Sequence, residues 1–150
     1  MGEARLMQVS QILDSKGHAV ITIRPEATVA EALRVLWLEG IGALVVTDEI
    51  GKVAGMISER DIIRGLAAQG NEFLGEPIEA RMETSVITCT PETWVEELMN
   101  EMTERRVRHL PVVEDGKLVG IVSIGDILKN RLQELENETC TLRGYLHAIR

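Results

Sequence analysis

The chain has 150 residues, 45% of them hydrophobic, and its 24 Asp and Glu outnumber 16 Lys and Arg, giving a formal net charge of −8 at pH 7. An acidic chain of this kind is unsuited to nucleic acid or to an anionic membrane surface, so we expect neither as a partner. Because no stretch reaches the roughly 18 apolar residues of a membrane span and the first five residues lack the apolar run of a signal peptide, we expect a cytoplasmic protein.

The first predicted elements alternate between helix and strand. Apolar residues at positions 6, 9, 12 and 13 indicate a short amphipathic helix or turn, and residues 19–23 read as a strand that Pro25 stops. Thr28 and Glu31 form a capping box, so a helix is expected to begin there and to end at Gly40. This helix is expected to bury Val29, Ala32, Leu33 and Leu36.

A hairpin and a second helix complete the first half. Residues 43–46 are continuously apolar, which is typical of a strand covered on both faces, and residues 53–57 are the expected hairpin partner. A helix is predicted over residues 59–69, with Ile62, Ile63 and Leu66 facing inward. Glycines and a proline after this helix place a connector at residues 71–77.

The second half repeats these steps. The expected elements are a helical lead at 78–82, a strand at 85–88, a helix at 94–103 and a hairpin formed by 110–113 and 117–122. The helix is expected to bury Val95, Leu98, Met99 and Met102. Its capping box is predicted one residue earlier than in the first half, at Thr93 and Glu96, because Trp94 takes the place of Thr28.

An apolar pattern with helical spacing continues beyond the second half. Its members are Ile127, Leu128, Leu132, Leu135, Leu142, Tyr145, Leu146 and Ile149. We expect a C-terminal helical extension over residues 131–150, with a break or kink near residues 139–141. An apolar stripe beyond a finished domain needs a covering surface, so the extension is predicted to pack on the module or on a second subunit rather than to form a disordered tail.

Two copies of one seven-residue phrase mark corresponding points of the two halves. The phrases are GMISERD at residues 55–61 and GIVSIGD at 120–126, with Gly, Ser and Asp at the same offsets. The glycines are expected to let a ligand approach the backbone. Pro25 and Pro91 also correspond, 66 residues apart, whereas the phrases are 65 apart because the first hairpin turn is longer by one residue. A fixed period indicates one supersecondary unit used twice.

Together with the stretch RRVRHLPVV at residues 105–113, this repeat resembles a tandem pair of CBS domains, also called a Bateman module. The resemblance covers roughly residues 5–130. It implies an α/β fold of two β-α-β-β-α units related by a pseudo-twofold axis, with their sheets packed together and two clefts between them, followed by the C-terminal helix. The units are expected at residues 5–70 and 78–130.

The resemblance also implies a function. It indicates a regulatory module that requires no cofactor and binds AMP, ADP or ATP, with NAD and S-adenosylmethionine as weaker candidates. A homodimer is expected, in which ligand binding shifts the placement of the two modules and an unknown regulated protein reads the change. The main alternative is a ligand-free interaction module acting through its C-terminal helix and dimer surface.

Candidate ligand contacts follow from the same resemblance. Asp61 and Asp126 would take ribose hydroxyls, and Ser58 and Ser123 would contact ribose or phosphate. The residues alone leave open that these side chains simply cap helices. The full set of candidate binding residues is Thr22, Gly42, Gly55, Ser58, Arg60, Asp61, Thr88, Arg106, Arg108, His109, Pro111, Gly120, Ser123 and Asp126.

The densest basic cluster of the chain, at residues 105–109, leads us to expect that the two clefts differ in affinity for a phosphate. Arg105 is expected to be solvated, whereas Arg108 and His109 lie next to a buried strand and suit a phosphate through charge-assisted hydrogen bonds. The corresponding residues of the first half are Gly42 and Ala43. By the family's geometry, we expect Arg108 and His109 to serve the cleft that contains Asp61.

No constellation typical of an enzyme is present in the sequence. It contains no phosphate-binding Walker loop, no Gly-x-Ser-x-Gly and no His-Glu-x-x-His, so catalysis is not expected, and an enzyme with unrecognised chemistry is the third alternative. Cys89 and Cys140 lack companions at metal-ligand spacing. We expect reduced, ordinary thiols rather than a disulfide or a zinc site.

Overall fold

The computed structural model describes residues 7–148, except for the side chains of residue 141 and residues 145–148. The described elements begin with α1 (Val9–Lys16), and the first unit then contains β1 (Thr22–Ile23), α2 (Val29–Glu39), β2 (Ala43–Thr47), β3 (Val53–Ser58) and α3 (Glu59–Gln69). Two 3₁₀ turns, Gly70–Gly75 and Ile78–Ala80, lead to α4 (Val95–Arg105), β4 (His109–Glu114), β5 (Lys117–Ser123) and α5 (Ile124–Ala148). None of the helices within this part of the chain combines the length and the apolar content needed to cross a membrane.

Each unit is built on an antiparallel hairpin, and the two hairpins have equivalent registers. In the first, Ala43 of β2 pairs with Ser58 of β3, and in the second, His109 of β4 pairs with Ser123 of β5. Both ladders shift register after the fourth pair, at a β-bulge or similar irregularity. The two tandem α/β units and the C-terminal helix confirm the expected fold class.

The strand that opens each unit is shorter than the apolar pattern predicted. Only Thr22–Ile23 of the expected strand pair with β2, in parallel. Residues 85–88 form no strand, so that prediction was wrong, and a single parallel bridge joins Cys89 to Val112 instead. Immediately before this segment, Glu83 and Met56 exchange two backbone hydrogen bonds of 2.8 and 3.0 Å. The backbone at Glu83 is therefore hydrogen-bonded to the first unit.

Each unit is completed by the segment that precedes the other unit. α1 places Val9, Ile12 and Leu13 in the core of the second unit, whereas Phe73 and Ile78 of the connecting region lie in the core of the first. The buried apolar residues accordingly form two clusters, one per unit. This reciprocal exchange ties the two units together in the manner expected of a pseudo-twofold arrangement.

The glycines that open the two repeated phrases make room for this exchange. A Cβ atom on Gly55 would lie 2.7 Å from the sulfur of Met82, and one on Gly120 would lie 2.7 Å from Cδ2 of Leu13. Both distances are too short for a side chain to be accommodated without movement. The space that the sequence interpretation gave to a ligand at these glycines is instead filled by the crossing segments, which corrects that interpretation.

Three residues predicted to be buried are exposed, namely Leu33, Ile63 and Met99. They lie on α2, α3 and α4, and the exposed fraction reaches 66% for Ile63. Trp37 and Leu38 of α2 are also exposed. Helical periodicity identifies an apolar face but does not say whether the same chain covers it. The outer helices thus carry apolar side chains beyond those needed for the two cores.

The capping box of α2 is confirmed, whereas the one predicted for α4 is wrong. Thr28 Oγ1 accepts the N–H of Glu31 at 3.2 Å, and the Glu31 carboxylate accepts the N–H of Thr28 at 2.9 Å. At α4 the N-cap residue is Trp94, which has no capping side chain, and Thr93 Oγ1 accepts the N–H of Thr90 at 3.0 Å. Thr93 therefore stabilises the preceding turn rather than the helix.

The last 25 described residues form one unbroken helix, α5, so the kink expected near residues 139–141 is not observed. Within this stretch the hydroxyl of Thr139 donates to the carbonyl of Leu135 at 2.9 Å, which satisfies it without breaking the helix. The predicted positions Leu6 and Ile149, and the side chains of Tyr145 and Leu146, lie outside the described part of the structure.

Candidate functional site

Two clefts lie between the units, and residues of both units line each one. The Asp61 cleft, about 470 Å³, is formed by the start of β2, the end of β3 and the first turn of α3, together with residues 83–87 and 105–109. The Asp126 cleft, about 380 Å³, is formed by the end of α1 and residues 19–21 and 40–43, together with His109 and the junction of β5 with α5. Both volumes fall within the range of small-molecule sites.

The Ser and Asp of each repeated phrase cap the helix that follows. Ser58 donates its N–H to Asp61 Oδ2 at 2.9 Å, and Asp61 donates its N–H to Ser58 Oγ at 3.3 Å. Ser123 and Asp126 repeat these bonds at 2.9 and 3.1 Å. No donor among the described residues bonds to Oδ1 of either Asp. Capping therefore uses one carboxylate oxygen of each Asp and leaves the other without a described donor.

Asp126 makes an ion pair that has no counterpart at Asp61 among the residues the structure describes. Lys16 Nζ, at the end of α1, lies 2.7 Å from Asp126 Oδ2 and donates a second hydrogen bond to the carbonyl of Ile121 at 2.8 Å. Burial alone would raise the pKa of Asp126, but the hydrogen bonds from Lys16 and Ser123 and the Lys16 charge outweigh it and hold that pKa below its usual value. The Asp126 cleft is thus partly neutralised by the protein itself.

The Asp61 cleft has a local excess of positive charge in an acidic chain. Its charged lining residues are Arg60, Arg64, Arg105, Arg106 and Arg108 against Glu59, Asp61 and Glu83. Arg105 is exposed and lies 3.7 Å from Glu101, as expected for a solvated residue. The other four guanidinium groups form no ion pair with any described carboxylate. Guanidinium groups without carboxylate partners are suited to phosphate through charge-assisted hydrogen bonds.

Arg106 is held in a left-handed backbone conformation. It is the C-cap of α4, with φ 55° and ψ 39°, and its counterpart in the first unit is Gly40, with φ 65° and ψ 37°. A side chain with a Cβ pays about 1–2 kcal/mol for this conformation, and such strain is concentrated at functional sites. The second unit thus places an arginine at the edge of the Asp61 cleft where the first unit has the unstrained residue.

His109 and Gly42 stand where the two clefts meet, and each lines both. A Cβ atom on Gly42 would lie 3.6 Å from Glu59 Oε2 and 3.9 Å from His109 Cε1. Burial is the main cause that lowers the pKa of His109; Lys16 and Arg108 lower it further, while Asp126 and Glu59 oppose them. Burial therefore favours the neutral imidazole in this cleft, and a charge-assisted contact of His109 with a phosphate stays a prediction.

The structure brings most of the candidate residues to the clefts. Gly42, Ser58, Arg60, Asp61, Arg106, Arg108 and His109 line the Asp61 cleft, and Gly42, His109, Ser123 and Asp126 line the Asp126 cleft. Five candidates line neither: Thr22, Gly55, Thr88, Pro111 and Gly120. Thr22 and Thr88 are exposed, and the residues just before them, Ile21 and Ile87, line the clefts instead. Alternate residues of an extended chain face opposite sides. The residues that line the clefts are therefore one position earlier in the sequence than the predicted ones.

Among the lining residues that sequence reasoning missed are two basic ones, Arg64 and Lys16. Arg64 follows Arg60 by four residues on α3, so the two share a helix face, and that spacing was a usable signal. Lys16 lies 110 residues before Asp126, and nothing in the sequence links them. Its position depends on α1 crossing to the second unit.

The thiols and possible metal ligands offer no second site within residues 7–148. Cys89 and Cys140 are both free. Burial raises the pKa of the Cys89 thiol to about 11, so it is unreactive at neutral pH. No cluster of three His, Cys, Asp or Glu side chains in the described part of the chain could hold a metal ion.

The paired clefts and repeated units agree with what comparison with known proteins finds. A family model described as CBS domain matches residues 9–68 and again 78–133. The chain belongs to the CBS domain family. As a CBS domain pair it is 34% identical over 146 residues to the CBS domain-containing protein CBSX3, mitochondrial, of Arabidopsis thaliana, covering 92% of this chain and 71% of that protein.

Solved CBS structures share this fold. The CBS-domain containing protein ATU1752 from Agrobacterium tumefaciens superimposes with a TM-score of 0.81 and 41% identity, covering 83% of this chain and 99% of that one. The CBS domain pair of protein MJ0100, solved in complex with 5-methylthioadenosine and S-adenosyl-L-methionine, gives a TM-score of 0.77 at 29% identity, covering 86% and 98% of the two chains. These matches confirm the resemblance inferred from the repeat.

The ion pair in the Asp126 cleft leads to a pH-dependent prediction. Lys16→Met keeps the apolar stem but removes the charge, and is expected to lower the free energy of unfolding at pH 7 by about 0.2–1 kcal/mol, the range of partly exposed ion pairs. Because the ion pair lowers the pKa of Asp126 in the folded state, its contribution is present above the ordinary pKa of Asp and is lost as pH falls through the folded value.

Urea unfolding of the parent chain and the variant at pH 7 and at pH 3 measures this effect. The difference between them should be smaller at pH 3 than at pH 7. Lys117→Met is the control, since Lys117 is exposed and has no ion pair with the residues described; it should show little change at either pH. A Lys16→Met difference of equal size at both pH values would contradict an electrostatic role.

Proposed function

We propose that this CBS pair is a non-catalytic sensor that binds AMP, ADP or ATP, with the Asp61 cleft as the principal site. The observation that carries the proposal is the joint presence, in one cleft of about 470 Å³, of a carboxylate oxygen available for ribose hydroxyls and four arginines without described carboxylate partners. A ribose phosphate needs both features: an acceptor for its hydroxyl groups and donors for its phosphate.

Charge favours a nucleotide over the ligands of the MJ0100 complex. Both 5-methylthioadenosine and S-adenosylmethionine contain the adenosine group, which supports adenosine as the common element. Neither carries a phosphate, and S-adenosylmethionine carries a positive sulfonium. Five arginines against three carboxylates repel that cation and attract an anion. An adenosine phosphate satisfies the adenosine preference and the charge of the Asp61 cleft together.

We predict that adenine nucleotides raise the melting temperature and that this response depends on Asp61. A ligand present at 100 times its Kd adds about 2.7 kcal/mol to the free energy of unfolding, which corresponds to roughly 5–10 °C in a chain of this size. Asp61→Asn retains a capping oxygen but removes the carboxylate charge, so the variant should fold and lose most of the shift. Thermal unfolding with AMP, ADP, ATP and the matching guanosine nucleotides measures it.

Asp126→Asn is the matched control, because Asp126 occupies the equivalent capping box at the start of α5. It should retain the response to adenine nucleotides. Guanosine nucleotides are expected to give little shift. An Asp61→Asn variant that responds like the parent would show that the assignment of ribose to Asp61 is wrong.

We propose that ligand binding regulates by changing how two modules are placed relative to each other in a homodimer. The exposed apolar residues on α2, α3 and α4, among them Trp37 with 79% of its surface exposed, suit contact with a second module. A ligand held between the two units has contacts with both, so it favours the arrangement in which those contacts are best. We propose that an unknown regulated protein reads this shift, and that the module acts in the cytoplasm.

A ligand-free interaction module is the second candidate, favoured by the exposed leucines of α5. In that case the clefts have no physiological ligand, and the helix carries the function. The thermal measurements separate the two candidates. Absence of any nucleotide shift, in a chain that still associates through α5, would favour the interaction module.

A further inference from the structure

A row of exposed leucines runs along α5 with the spacing of a coiled coil. Leu128, Leu132, Leu135 and Leu142 are 56%, 60%, 58% and 64% exposed. With Thr139, Leu146 and Ile149 they form the series 128, 132, 135, 139, 142, 146, 149, whose steps alternate between four and three residues. The structure describes the helical backbone as far as Ala148. A strict alternation of this kind is a 3.5-residue repeat, which produces a left-handed supercoil between helices.

Little of the chain covers this part of the helix. Among residues 131–144 with described side chains, only Glu134 is not fully in the exposed class. An uncovered helix of this length is marginal in water, because most helical stability comes from packing an apolar face. The leucine series therefore needs a partner surface. Its 3.5-residue repeat indicates that the partner is another helix.

We propose that this surface binds a second copy of the same chain in a parallel, two-stranded coiled coil along α5. The proposal does not depend on nucleotide binding. With Leu132 at heptad position a, the leucines 128, 135 and 142 occupy position d, and Leu at d is compatible with a two-stranded parallel arrangement. Identical chains bring identical heptads into register, so the same leucines meet across the twofold axis.

The charges beside the seam suit the parallel arrangement. Positions g and e of this register hold Arg131, Glu136, Glu138 and Arg143. In a parallel pair, position g contacts position e of the following heptad on the other helix. Arg131 then faces Glu136 of the second copy, and Glu138 faces Arg143 of the second copy, so both pairs have opposite charges. Arg131 also lies 3.9 Å from Glu134 of its own helix, which leaves its other donors available.

The one polar residue of the described seam is compatible with burial. Thr139 stands at position a, and its hydroxyl donates to the Leu135 carbonyl at 2.9 Å within the same helix. Its donor is therefore satisfied before any second helix arrives, so covering it leaves no unpaired polar hydrogen. A polar residue at one a position also disfavours shifted registers.

Cysteine cross-linking of the full chain tests the partner, the orientation and the register. Leu142→Cys is made together with Cys140→Ser, which removes the exposed thiol, while the buried Cys89 remains. In a parallel coiled coil the two copies of residue 142 meet, so mild oxidation should convert most of the protein to a covalent dimer. Gln133→Cys in the same background is the control, since position b points away from the seam and should cross-link little.

Leu135→Cys distinguishes the orientations and guards against a Leu142 variant that merely weakens the seam. Cross-linking at 135 and 142, with little at 133, supports the proposal. An antiparallel pair centred on Leu135 would cross-link at 135 but not at 142, and that result overturns it. A monomer mass for the parent chain by light scattering at micromolar concentration, or equal cross-linking at all three positions, also overturns it.

Discussion

Replacing Gly65 with alanine is expected to lower the free energy of unfolding by about 1–2 kcal/mol. A Cβ atom at this position of α3 would lie 2.1 Å from Cζ of Phe73 and 2.3 Å from both of its Cε atoms. Phe73 is only 2% exposed and is one of the largest side chains of the first core. The ring cannot withdraw without disturbing that core, and overpacking of this kind costs about 1–3 kcal/mol, occasionally more. The better helix propensity of alanine offsets only about 0.5–1 kcal/mol.

Gly144→Ala provides the matched control for Gly65→Ala. Gly144 is also a helical glycine, but a Cβ there would have no atom within 4 Å. The control should stabilise the protein slightly, by the helix-propensity term alone. Both variants are compared with the parent by urea unfolding at one protein concentration, since the stability of an oligomer depends on concentration. A neutral or stabilising Gly65→Ala would show that the first core tolerates displacement of Phe73.

The local features of this fold could be predicted because their causes lie close together in sequence. The hairpins follow from apolar runs joined by short turns, and the helix that begins after Thr28 follows from a side chain three residues away. The repeat added the overall architecture, since a unit used twice must form the same elements twice. Ser58 and Asp61 illustrate the same point within the site, because both their capping bonds and their place in the cleft are local.

The parts that could not be predicted depend on contacts between distant segments. The transfer of α1 to the second core places Lys16 on Asp126 and Leu13 against Gly120, and no local pattern encodes those distances. Residues 85–88 have the composition of a strand, but the segment before them hydrogen-bonds to Met56 of the other unit. Ile63 has the spacing of a core residue and is exposed, because periodicity does not identify what covers a face.

The two clefts differ in their charged lining residues, as the sequence predicted. The sequence predicted that Arg108 would serve the Asp61 cleft, and it does line that cleft with Asp61, although the two lie in different units. What the sequence did not predict is a second reason to expect weaker binding in the Asp126 cleft. Beyond the missing arginines of the first half, Lys16 Nζ already lies 2.7 Å from Asp126 Oδ2, so the charge of that carboxylate is partly neutralised before a ribose hydroxyl binds.

Arg108→Ala is expected to weaken AMP binding in the Asp61 cleft by roughly 10- to 150-fold. The loss corresponds to about 1.5–3 kcal/mol for a hydrogen bond to a charged group. Because the lost partner is the phosphate, the affinity for adenosine should change little, and the difference between variant and parent should shrink at high salt. Isothermal titration with AMP and with adenosine, at low and high salt, measures all three effects.

Two further arginines make this titration specific to position 108. Arg105→Ala removes a guanidinium that lies 3.7 Å from Glu101 of its own helix and so already has a carboxylate partner, and AMP affinity should therefore fall by no more than about threefold. Arg106→Gly should weaken AMP binding while stabilising the fold by about 1 kcal/mol, because glycine relieves the left-handed strain at φ 55°. Equal losses of AMP and adenosine affinity in Arg108→Ala, or a loss confined to the Asp126 cleft, would show that Arg108 does not hold the phosphate.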